Sequence, residues 1–315
     1  MIRNLVLSFG KKAFLLIFTI FVAVLDGKSQ DQTAKPGAGA YPSVPVPGTE
    51  MRTFYSDSLK QQMNLYIKLP SGYYANPGKI YQAWYFTDAN RTFPLVANIE
   101  SIFDILPAMS SEPEVIIVGI GYQINDMGDW AAWRTRDLTP VNLPRVDSYW
   151  ADLLERFTGK HYTVQSGGAD KFLNFVVKEV FPLIESNYRV STSDRGIGGY
   201  SYGGLFSLYT LFTRPDLFTN YYAGSPSIDY GNGTLFELEK AYASSHNNLK
   251  AHLFMSAGGS EDSVMVSNVG EMANLLKSRN YPGLEVETHI FPGETHPSCL
   301  PSSVMWAFKV LYKRN

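Results

Sequence analysis

The segment Gly199–Gly204 reads Gly-Tyr-Ser-Tyr-Gly-Gly and places Ser201 where a nucleophile is expected. It fits the pattern G-x-S-x-G, and it joins a short strand-like segment, GIGGY, to an apolar helical run, LFSLYTLF. A serine on so tight a strand-to-helix turn is held above the sheet, and flanking glycines remove the Cβ atoms that would clash there. The start of the helix also directs backbone N–H groups toward the same point. The sequence therefore predicts Ser201 as a nucleophile.

A serine hydroxyl is a poor nucleophile at neutral pH, so it needs a base. The five histidines are His161, His246, His252, His289 and His296. In this architecture the chain order is nucleophile, acid, base, which removes His161. His252 and His289 fall inside predicted strands, and His246 precedes a strand in a polar loop. His296 follows the apolar segment that ends at Phe291 and precedes the last helix, so it is the predicted base.

The acid that orients the histidine is expected in the loop after the strand that comes one before the histidine's own strand. The strand-like segment Leu253–Ala257 leads into Gly258-Gly259-Ser260-Glu261-Asp262. Glu261 and Asp262 both satisfy this requirement, and spacing alone does not separate them. Asp229 is a third candidate, because the acid can lie at the end of a neighbouring strand.

Alternating strands and helices are predicted around these residues. The strand-like segments are 63–69, 80–87, 114–120, 195–200, 220–224, 251–257 and 285–291. Helical patterns cover 96–109, 172–188 (with a kink expected at Pro182), 201–213, a segment marked by Met265, Val269, Met272 and Leu276, and 302–312. This order predicts an α/β fold with a mostly parallel sheet and helices on both faces. Ligands bind at the carboxyl ends of the strands in such sheets.

The amino-terminal residues predict an exported protein. Residues 1–29 combine basic residues with the uncharged apolar run Ala13–Leu25, which is shorter than the ~20 residues of a membrane span. We interpret them as a cleaved signal peptide, with an uncleaved membrane anchor as the alternative. Residues 30–48 are rich in Pro, Ala and Gly and are predicted as a linker, which leaves 49–315 as one catalytic domain. The expected location is the periplasm or the medium, without stable membrane insertion after cleavage.

The overall composition excludes several classes of protein. The chain has 315 residues, 45% of them apolar, which is too apolar for a disordered chain. Its 27 basic and 29 acidic residues give a net charge of −2, so a nucleic-acid partner is not expected. Cys299 is the single cysteine, which excludes an internal disulfide, a lipoprotein cysteine after the apolar run, and C-x-x-C metal sites. No metal and no organic cofactor is expected.

Several short motifs together point to one family. They are Asp88-Ala89-Asn90, Arg136-Asp137-Leu138-Thr139-Pro140, Gly168-Ala169-Asp170-Lys171-Phe172, Gly199–Gly204, Arg214-Pro215-Asp216-Leu217-Phe218 and Ser225-Pro226-Ser227. With them the chain resembles the putative esterase (esterase D-like) family of α/β-hydrolases over roughly residues 50–315. It is most similar to the siderophore (enterobactin-type) esterase branch. The resemblance implies the α/β-hydrolase fold and hydrolysis of carboxylic esters.

The resemblance also implies roles for individual residues. The family's nucleophile and base fall on Ser201 and His296, and its Gly-x-x-Glu motif matches Gly258–Glu261, which favours Glu261 as the acid. The backbone N–H groups of Tyr202 and Ala89, in the loop after Asp88, would form the oxyanion hole. The chain departs from the family at Ala89, where many members have glycine. It also departs after Ser225-Pro226-Ser227, where Ile228-Asp229-Tyr230 replaces a frequent tryptophan pair and changes the expected substrate pocket.

Candidate substrate-binding residues are Arg136, Trp133 and Asp88. Tryptophans between Gly121 and Pro140 could stack on catecholate, phenolic or sugar rings, and arginine could hold an anion. In the alternative interpretation Arg136 and Asp137 form an ion pair that fixes a loop, and the tryptophans pack in the interior. The expected substrate is a small-molecule or glycan-linked ester. Two other functions remain open: an acyltransferase with the same triad, and a non-catalytic hydrolase-like binding module.

Overall fold

A computed structural model describes residues 45–104 and 114–312, so the predicted signal peptide and residues 30–44 of the predicted linker lie outside the described residues. The described residues form one eight-stranded sheet in the order β1-β2-β4-β3-β5-β6-β7-β8. The strands are β1 Thr49–Ser56, β2 Gln61–Lys68, β3 Tyr81–Phe86, β4 Val115–Tyr122, β5 Val190–Tyr200, β6 Asn220–Gly224, β7 Ala251–Gly258 and β8 Leu284–Phe291. Strands β3 to β8 are mutually parallel, whereas β2 runs antiparallel to both of its neighbours, β4 and the edge strand β1.

All seven predicted strands are present, and the predicted α/β class is confirmed. Strand β5 begins at Val190, five residues before the predicted start at Arg195. Strand β1 was not predicted, because its alternating pattern combines charged residues with the exposed side chains of Met51 and Tyr55. It pairs with β2 along its full length and forms one edge of the sheet.

The helices are α1 Ala89–Asp104, α2 Met127–Asp137, α3 Pro144–Thr158, α4 Ala169–Phe175, α5 Phe181–Asn187, α6 Tyr202–Thr213, α7 Tyr230–Ser245, α8 Ser263–Arg279 and α9 Cys299–Leu311. A π-helical turn, Val176–Val180, joins α4 to α5 and precedes Pro182, whose missing N–H interrupts the regular pattern. Helix α1 begins earlier than predicted, and residues 105–109 of that prediction lie outside the described residues. Helices α2, α3 and α7 were not predicted.

Helices cover both faces of the sheet, as expected for buried parallel strands. On one face α1 and α9 enclose an aromatic cluster around Trp84, whose ring lies 4.7 Å from that of Phe308. The other face carries the larger core, to which α4, α6 and α8 contribute. Every residue of β4 is buried, which explains its nearly continuous apolar sequence. Within the described part of the chain no helix combines the length and the apolar composition that a membrane span requires.

The strand order brings the predicted site residues to one edge of the sheet. Strands β3, β5, β6, β7 and β8 are consecutive neighbours and parallel, so their carboxyl ends lie side by side. The residues that follow these five strands include Asp88, Ser201, Ser225, Glu261 and His296 in the same order. Residues more than two hundred positions apart in the chain thus converge at the edge where ligands bind in such folds.

Candidate active site

Ser201 occupies the turn between β5 and α6 with φ 60° and ψ −114°. A positive φ is unfavourable for a residue that carries a Cβ, and such strain concentrates at functional sites. Two backbone hydrogen bonds hold the turn: Ser201 N–H donates to the Gly224 carbonyl at 2.9 Å, and Leu205 N–H donates to the Ser201 carbonyl at 2.9 Å. The half-buried serine side chain stands at the start of α6.

Glycines on both sides of Ser201 are required by close packing. A Cβ at Gly199 would lie 2.6 Å from the Cα of Gly203 and would clash with the Thr87 hydroxyl. A Cβ at Gly203 would clash with the same hydroxyl and would stand 3.6 Å from Oδ2 of Asp88. The glycines of the G-x-S-x-G pattern therefore allow the loop after β3 to lie directly against the turn that carries Ser201.

His296 is hydrogen-bonded to Glu261. Its Nδ1 lies 2.9 Å from Oε2 of Glu261, whose side chain is 1% exposed. With Nδ1 engaged by a carboxylate, the neutral ring carries its proton on Nδ1, and Nε2 has the free lone pair. Such a pair suits a general base, because the carboxylate stabilises the imidazolium that forms when Nε2 accepts a proton.

Three donors surround the Glu261 carboxylate. Besides His296, the Ser225 hydroxyl and the Gly258 N–H each approach Oε1 to 2.6 Å. Burial alone would raise the pKa of the Glu261 carboxyl, but these hydrogen bonds outweigh it, and its pKa is lowered. Asp262 has a different role: its carboxylate caps α8 by accepting from the Val264 N–H at 2.9 Å. Of the candidate acids, Glu261 is the one beside His296, whereas Asp229 is exposed before α7.

Tyr200 and Ser225 support this pair, and sequence reasoning did not assign them a role. The Tyr200 hydroxyl donates to the His296 carbonyl at 2.6 Å, and it lies 2.7 Å from the Ser225 hydroxyl. Ser225 itself has a positive φ of 37° and is buried. Their positions in the sequence could have indicated this role, because Tyr200 precedes the nucleophile and Ser225 directly follows the neighbouring strand β6.

The remaining histidines have local partners away from Glu261. His161 is exposed and lies 3.2 Å from Glu155. His246 follows α7 and stacks on Tyr242, with ring centroids 4.2 Å apart. The other two lie in strands, as predicted. His252 is 3.5 Å from Glu287, and His289 stacks on Trp306 at 4.2 Å.

The predicted oxyanion donors are the first residues of two helices. Ala89 begins α1 and Tyr202 begins α6, so neither N–H has an acceptor within its own helix. Asp88 has φ 59°, and its carbonyl accepts from the Arg91 and Thr92 N–H groups at 2.9 and 3.1 Å. The positive φ therefore falls on Asp88, and Ala89 already has a helical conformation, so the alanine found in place of the family's glycine is accommodated.

Arg134, in α2, binds the buried carboxylate of Asp88 through two hydrogen bonds of 2.8 and 2.7 Å. Arg136 instead pairs with the adjacent Asp137 at 2.7 and 2.8 Å, as the ion-pair alternative expected. Trp133 is half-buried and meets Tyr122 edge-on at 5.8 Å. The substrate-binding roles of Arg136, Trp133 and Asp88 stay predictions.

Comparison with known proteins gives the family. The family model described as "Putative esterase" matches residues 56–307. The chain belongs to this family. It is therefore an ester hydrolase of the serine hydrolase class, and the resemblance stated from its motifs is confirmed.

Individual relatives of this esterase include siderophore esterases. It is 30% identical to the ferri-bacillibactin esterase BesA of Bacillus subtilis over 285 residues, which cover 89% of this chain and 95% of that protein. It is 35% identical to a siderophore enterobactin esterase of Emericella nidulans over 182 residues, covering 57% and 55% of the two chains. Among solved structures, the BES protein from Bacillus cereus superposes with a TM-score of 0.75 at 26% identity, covering 87% of this chain and 99% of that one.

Proposed function

We propose that this esterase hydrolyses its substrate through a covalent acyl-enzyme on Ser201, with His296 as general base and Glu261 as the acid that orients it. The observation that carries the proposal is the 2.9 Å hydrogen bond between His296 and Glu261, at the strand ends beside the strained Ser201 turn. No metal or organic cofactor takes part in the proposed reaction.

In the first half-reaction, Oγ of Ser201 attacks the ester carbonyl carbon, and Nε2 of His296 takes the hydroxyl proton. Glu261 stabilises the imidazolium. The carbonyl oxygen becomes an oxyanion that accepts hydrogen bonds from the Tyr202 and Ala89 N–H groups, and such a donor typically lowers the barrier by about 3–4 kcal/mol. The C–O bond to the alcohol then breaks, and His296 returns the proton to the leaving oxygen.

In the second half-reaction, water attacks the acyl carbonyl carbon of the ester on Ser201. His296 takes a proton from this water and gives it to Oγ of Ser201 as the acyl–oxygen bond breaks. The products are a carboxylic acid and free enzyme, so each cycle consumes one water and one ester. The reaction thus needs only the residues named here.

We propose a siderophore-type ester as the substrate, with feruloyl and acetyl esters as the other candidates. The proposal is supported by the siderophore esterases among the relatives and by a cationic, aromatic wall near Asp88. The exposed Arg91 lies over the Trp130 ring at 5.6 Å, three residues after Asp88 in the loop and first turn of α1. A guanidinium in this place would attract a substrate that carries phenolate or carboxylate groups.

We also propose export, on the basis of residues 1–29. Expression of the full chain in a bacterial host is expected to give a processed protein that begins near Gln30, measured by intact-mass spectrometry. Retention of residues 1–25 in the exported protein would contradict the signal-peptide interpretation.

The proposed function is tested with a panel of esters: short acyl p-nitrophenyl esters, a feruloyl ester, a catecholate trilactone and an acetylated sugar. Wild type is expected to hydrolyse the p-nitrophenyl esters and to show its highest kcat/KM on the trilactone. Ser201→Ala is expected to lose measurable hydrolysis of all four classes while keeping the wild-type melting temperature. Full activity of Ser201→Ala would overturn the mechanism, and a preference for acetylated sugar would overturn the siderophore assignment alone.

A further inference from the structure

We propose that Tyr200 is a positioning residue that fixes the base relative to the nucleophile. Its main chain directly precedes Ser201 at the end of β5, and its side chain is bonded to the main chain of His296. The inference rests on the proposed function, because it assumes that Ser201 and His296 are the nucleophile and the base. Tyr200 itself exchanges no proton with the substrate and acts through His296 and Glu261.

The ring of Tyr200 is anchored by packing across the end of β6. Tyr200 lies opposite Gly224 in the parallel pairing of β5 with β6. A Cβ at Gly224 would lie 2.6 Å from Cδ2 of Tyr200, so the glycine leaves room for the ring. Tyr200 is 7% exposed and packs with Phe291 and Cys299. Its hydroxyl is therefore held at a fixed point beside the main chain of His296.

The Tyr200 hydroxyl holds the main chain of the base. It donates to the His296 carbonyl at 2.6 Å, and the centroids of the two side-chain rings are 5.0 Å apart. The preceding carbonyl in the same loop, that of Thr295, accepts from the Cys299 N–H at 2.9 Å. At His296 the donor is instead a side chain, so one substitution can release the main chain that carries the imidazole.

Ser225 extends this contact to the acid. Its hydroxyl lies 2.7 Å from the Tyr200 oxygen and 2.6 Å from Oε1 of Glu261. A carbonyl oxygen only accepts, so the Tyr200 proton points to His296, and the Tyr200 oxygen is left to accept from Ser225. Together with the 2.9 Å bond between Nδ1 of His296 and Oε2 of Glu261, these contacts form a closed cycle of four hydrogen bonds.

The closed cycle holds His296 at both ends of its side chain. The carbonyl is fixed on the main-chain side and Nδ1 on the ring side, so the side-chain torsions between them have little freedom. Since Tyr200 directly precedes Ser201, the same residue places Nε2 of His296 relative to Oγ of Ser201. Alignment of this kind matters for the rate, because a displacement of about 1 Å can cost about 100-fold.

The Tyr200 hydroxyl keeps its proton at every pH at which a histidine can act as a base. Burial, together with the charge of Glu261, raises the pKa of Tyr200 far above its ordinary value of 10.0. Tyr222, on the neighbouring strand β6, offers a matched contrast. It is fully buried, and its hydroxyl is bonded to Ser303 at 2.5 Å. Two buried tyrosines thus satisfy the same hydroxyl group, one of them on the base.

The experiment compares Tyr200→Phe with Tyr222→Phe, both measured against wild type on p-nitrophenyl acetate. Each substitution removes one buried hydroxyl and keeps the packed ring, so the two variants should lower the melting temperature by similar amounts. Circular dichroism and the melting temperature give the folded fraction of each variant. A difference in turnover between them therefore reports on what the hydroxyl contacts and not on the loss of a buried hydrogen bond in general.

We expect kcat of Tyr200→Phe to fall about 30-fold with KM unchanged, because the base is misplaced and substrate binding is not affected. The rate at which a fluorophosphonate labels Ser201 should fall by a similar factor, since that reaction also depends on His296. Tyr222→Phe should keep the wild-type kcat and the wild-type labelling rate.

The proton on Nδ1 of His296 gives a second readout, one that a uniform loss of stability would not change. A proton shared between an imidazole and a carboxylate resonates far downfield in the proton NMR spectrum, and its absence in His296→Ala assigns it. The signal should be present in wild type and in Tyr222→Phe and should be broadened by exchange in Tyr200→Phe. Ser225→Ala should keep it, because Tyr200 remains bonded to the His296 carbonyl in that variant.

The proposal is overturned if folded Tyr200→Phe keeps kcat within about threefold of wild type, or if KM alone rises. It is equally overturned if Tyr222→Phe loses as much kcat as Tyr200→Phe. Should Tyr200→Phe fail to fold, the downfield signal of Ser225→Ala decides: its retention supports the proposal, and its loss shows that Tyr200 does not hold His296. An inactive wild type, or an active Ser201→Ala, would instead overturn the proposed function.

Discussion

Two buried glutamates, Glu261 and Glu100, have pKa values that are shifted in opposite directions. Glu261, at the carboxyl end of the sheet, receives hydrogen bonds from His296, Ser225 and the Gly258 backbone. Glu100, in α1, is as deeply buried but is paired with the buried ammonium of Lys68 at 3.0 Å. The pKa of Glu261 is lowered, whereas burial raises the pKa of Glu100 to about 7 in spite of Lys68.

The opposite pKa shifts arise from the hydrogen-bond donors around each carboxylate and not from the depth of burial. Burial disfavours the anion at both positions, and only at Glu261 do three directed donors reverse that effect. A carboxylate that stays ionised can stabilise an imidazolium, whereas one that is protonated near neutral pH cannot. The comparison therefore separates a carboxylate suited to orienting a general base from one that is packed beside a lysine.

The largest expected difference is in turnover. Glu261→Gln keeps the shape but loses the charge that stabilises charged His296, so kcat on p-nitrophenyl acetate should fall about 10³- to 10⁴-fold. Glu100→Gln is the matched control, and its kcat should stay within about twofold of wild type. A loss of less than tenfold in folded Glu261→Gln would show that Ser201 and His296 work without this acid.

The next effect is on the pH dependence of stability. Glu100 has an ordinary pKa of 4.5 and a folded pKa of about 7, so the folded state binds more protons between these values. Its stabilising contribution is complete below about pH 4.5 and is lost as the pH rises toward 7, by about 3 kcal/mol. Denaturant unfolding at several pH values should show this slope in wild type, and Glu100→Gln should remove it.

Glu261 should contribute with the opposite sign. Its folded pKa is lowered, so its stabilising contribution is present above the ordinary value of 4.5 and is lost as the pH falls through the folded pKa. Glu261→Gln should therefore flatten the acid side of the same stability curve. If both variants altered the same side of the curve, the contrast between the two glutamates would be wrong.

The smallest effect is expected from removing one donor. Ser225→Ala deletes the hydroxyl bound to Glu261 at 2.6 Å, and kcat should fall about tenfold, equivalent to about 1.4 kcal/mol. Ser303→Ala is the control, because Ser303 is equally buried and binds Tyr222 and Ser256 without contacting Glu261 or His296. Equal kcat values for the two variants would show that the Ser225 hydroxyl makes no specific contribution to turnover through Glu261.

The sequence predicted seven of the eight strands from short segments that are apolar or partly alternating, and the clearest of them is the fully buried parallel strand β4. Helix α2 escaped prediction because its buried residues are Gly, Ala, Thr, Asp and Trp, which give no apolar stripe. Helix α7 contains three consecutive residues, Gly231–Gly233, with positive φ, so no regular period runs through its start. Both were missed because tertiary packing and not local pattern determines them.

For the candidate site, Ser201 and His296 followed from a local pattern and from chain order. Glu261 and Asp262 could not be separated from the residues alone, because the distinction depends on which carboxylate caps α8 and which is hydrogen-bonded to His296. The ion pair between Asp88 and Arg134 could not be predicted either, since these residues are 46 positions apart in the chain. The sequence also does not show whether Arg134 or Arg136 is the partner. Contacts of this kind become apparent only when the strand order is known.

The central claim, that Ser201 is the nucleophile activated by His296, is tested most directly with a fluorophosphonate probe. The labelled site is located by tandem mass spectrometry after digestion. We predict a single adduct on Ser201 in wild type, much slower labelling in His296→Ala, and no labelling in Ser201→Ala. Labelling that persists in Ser201→Ala, or a folded wild type that is not labelled at all, would contradict the claim.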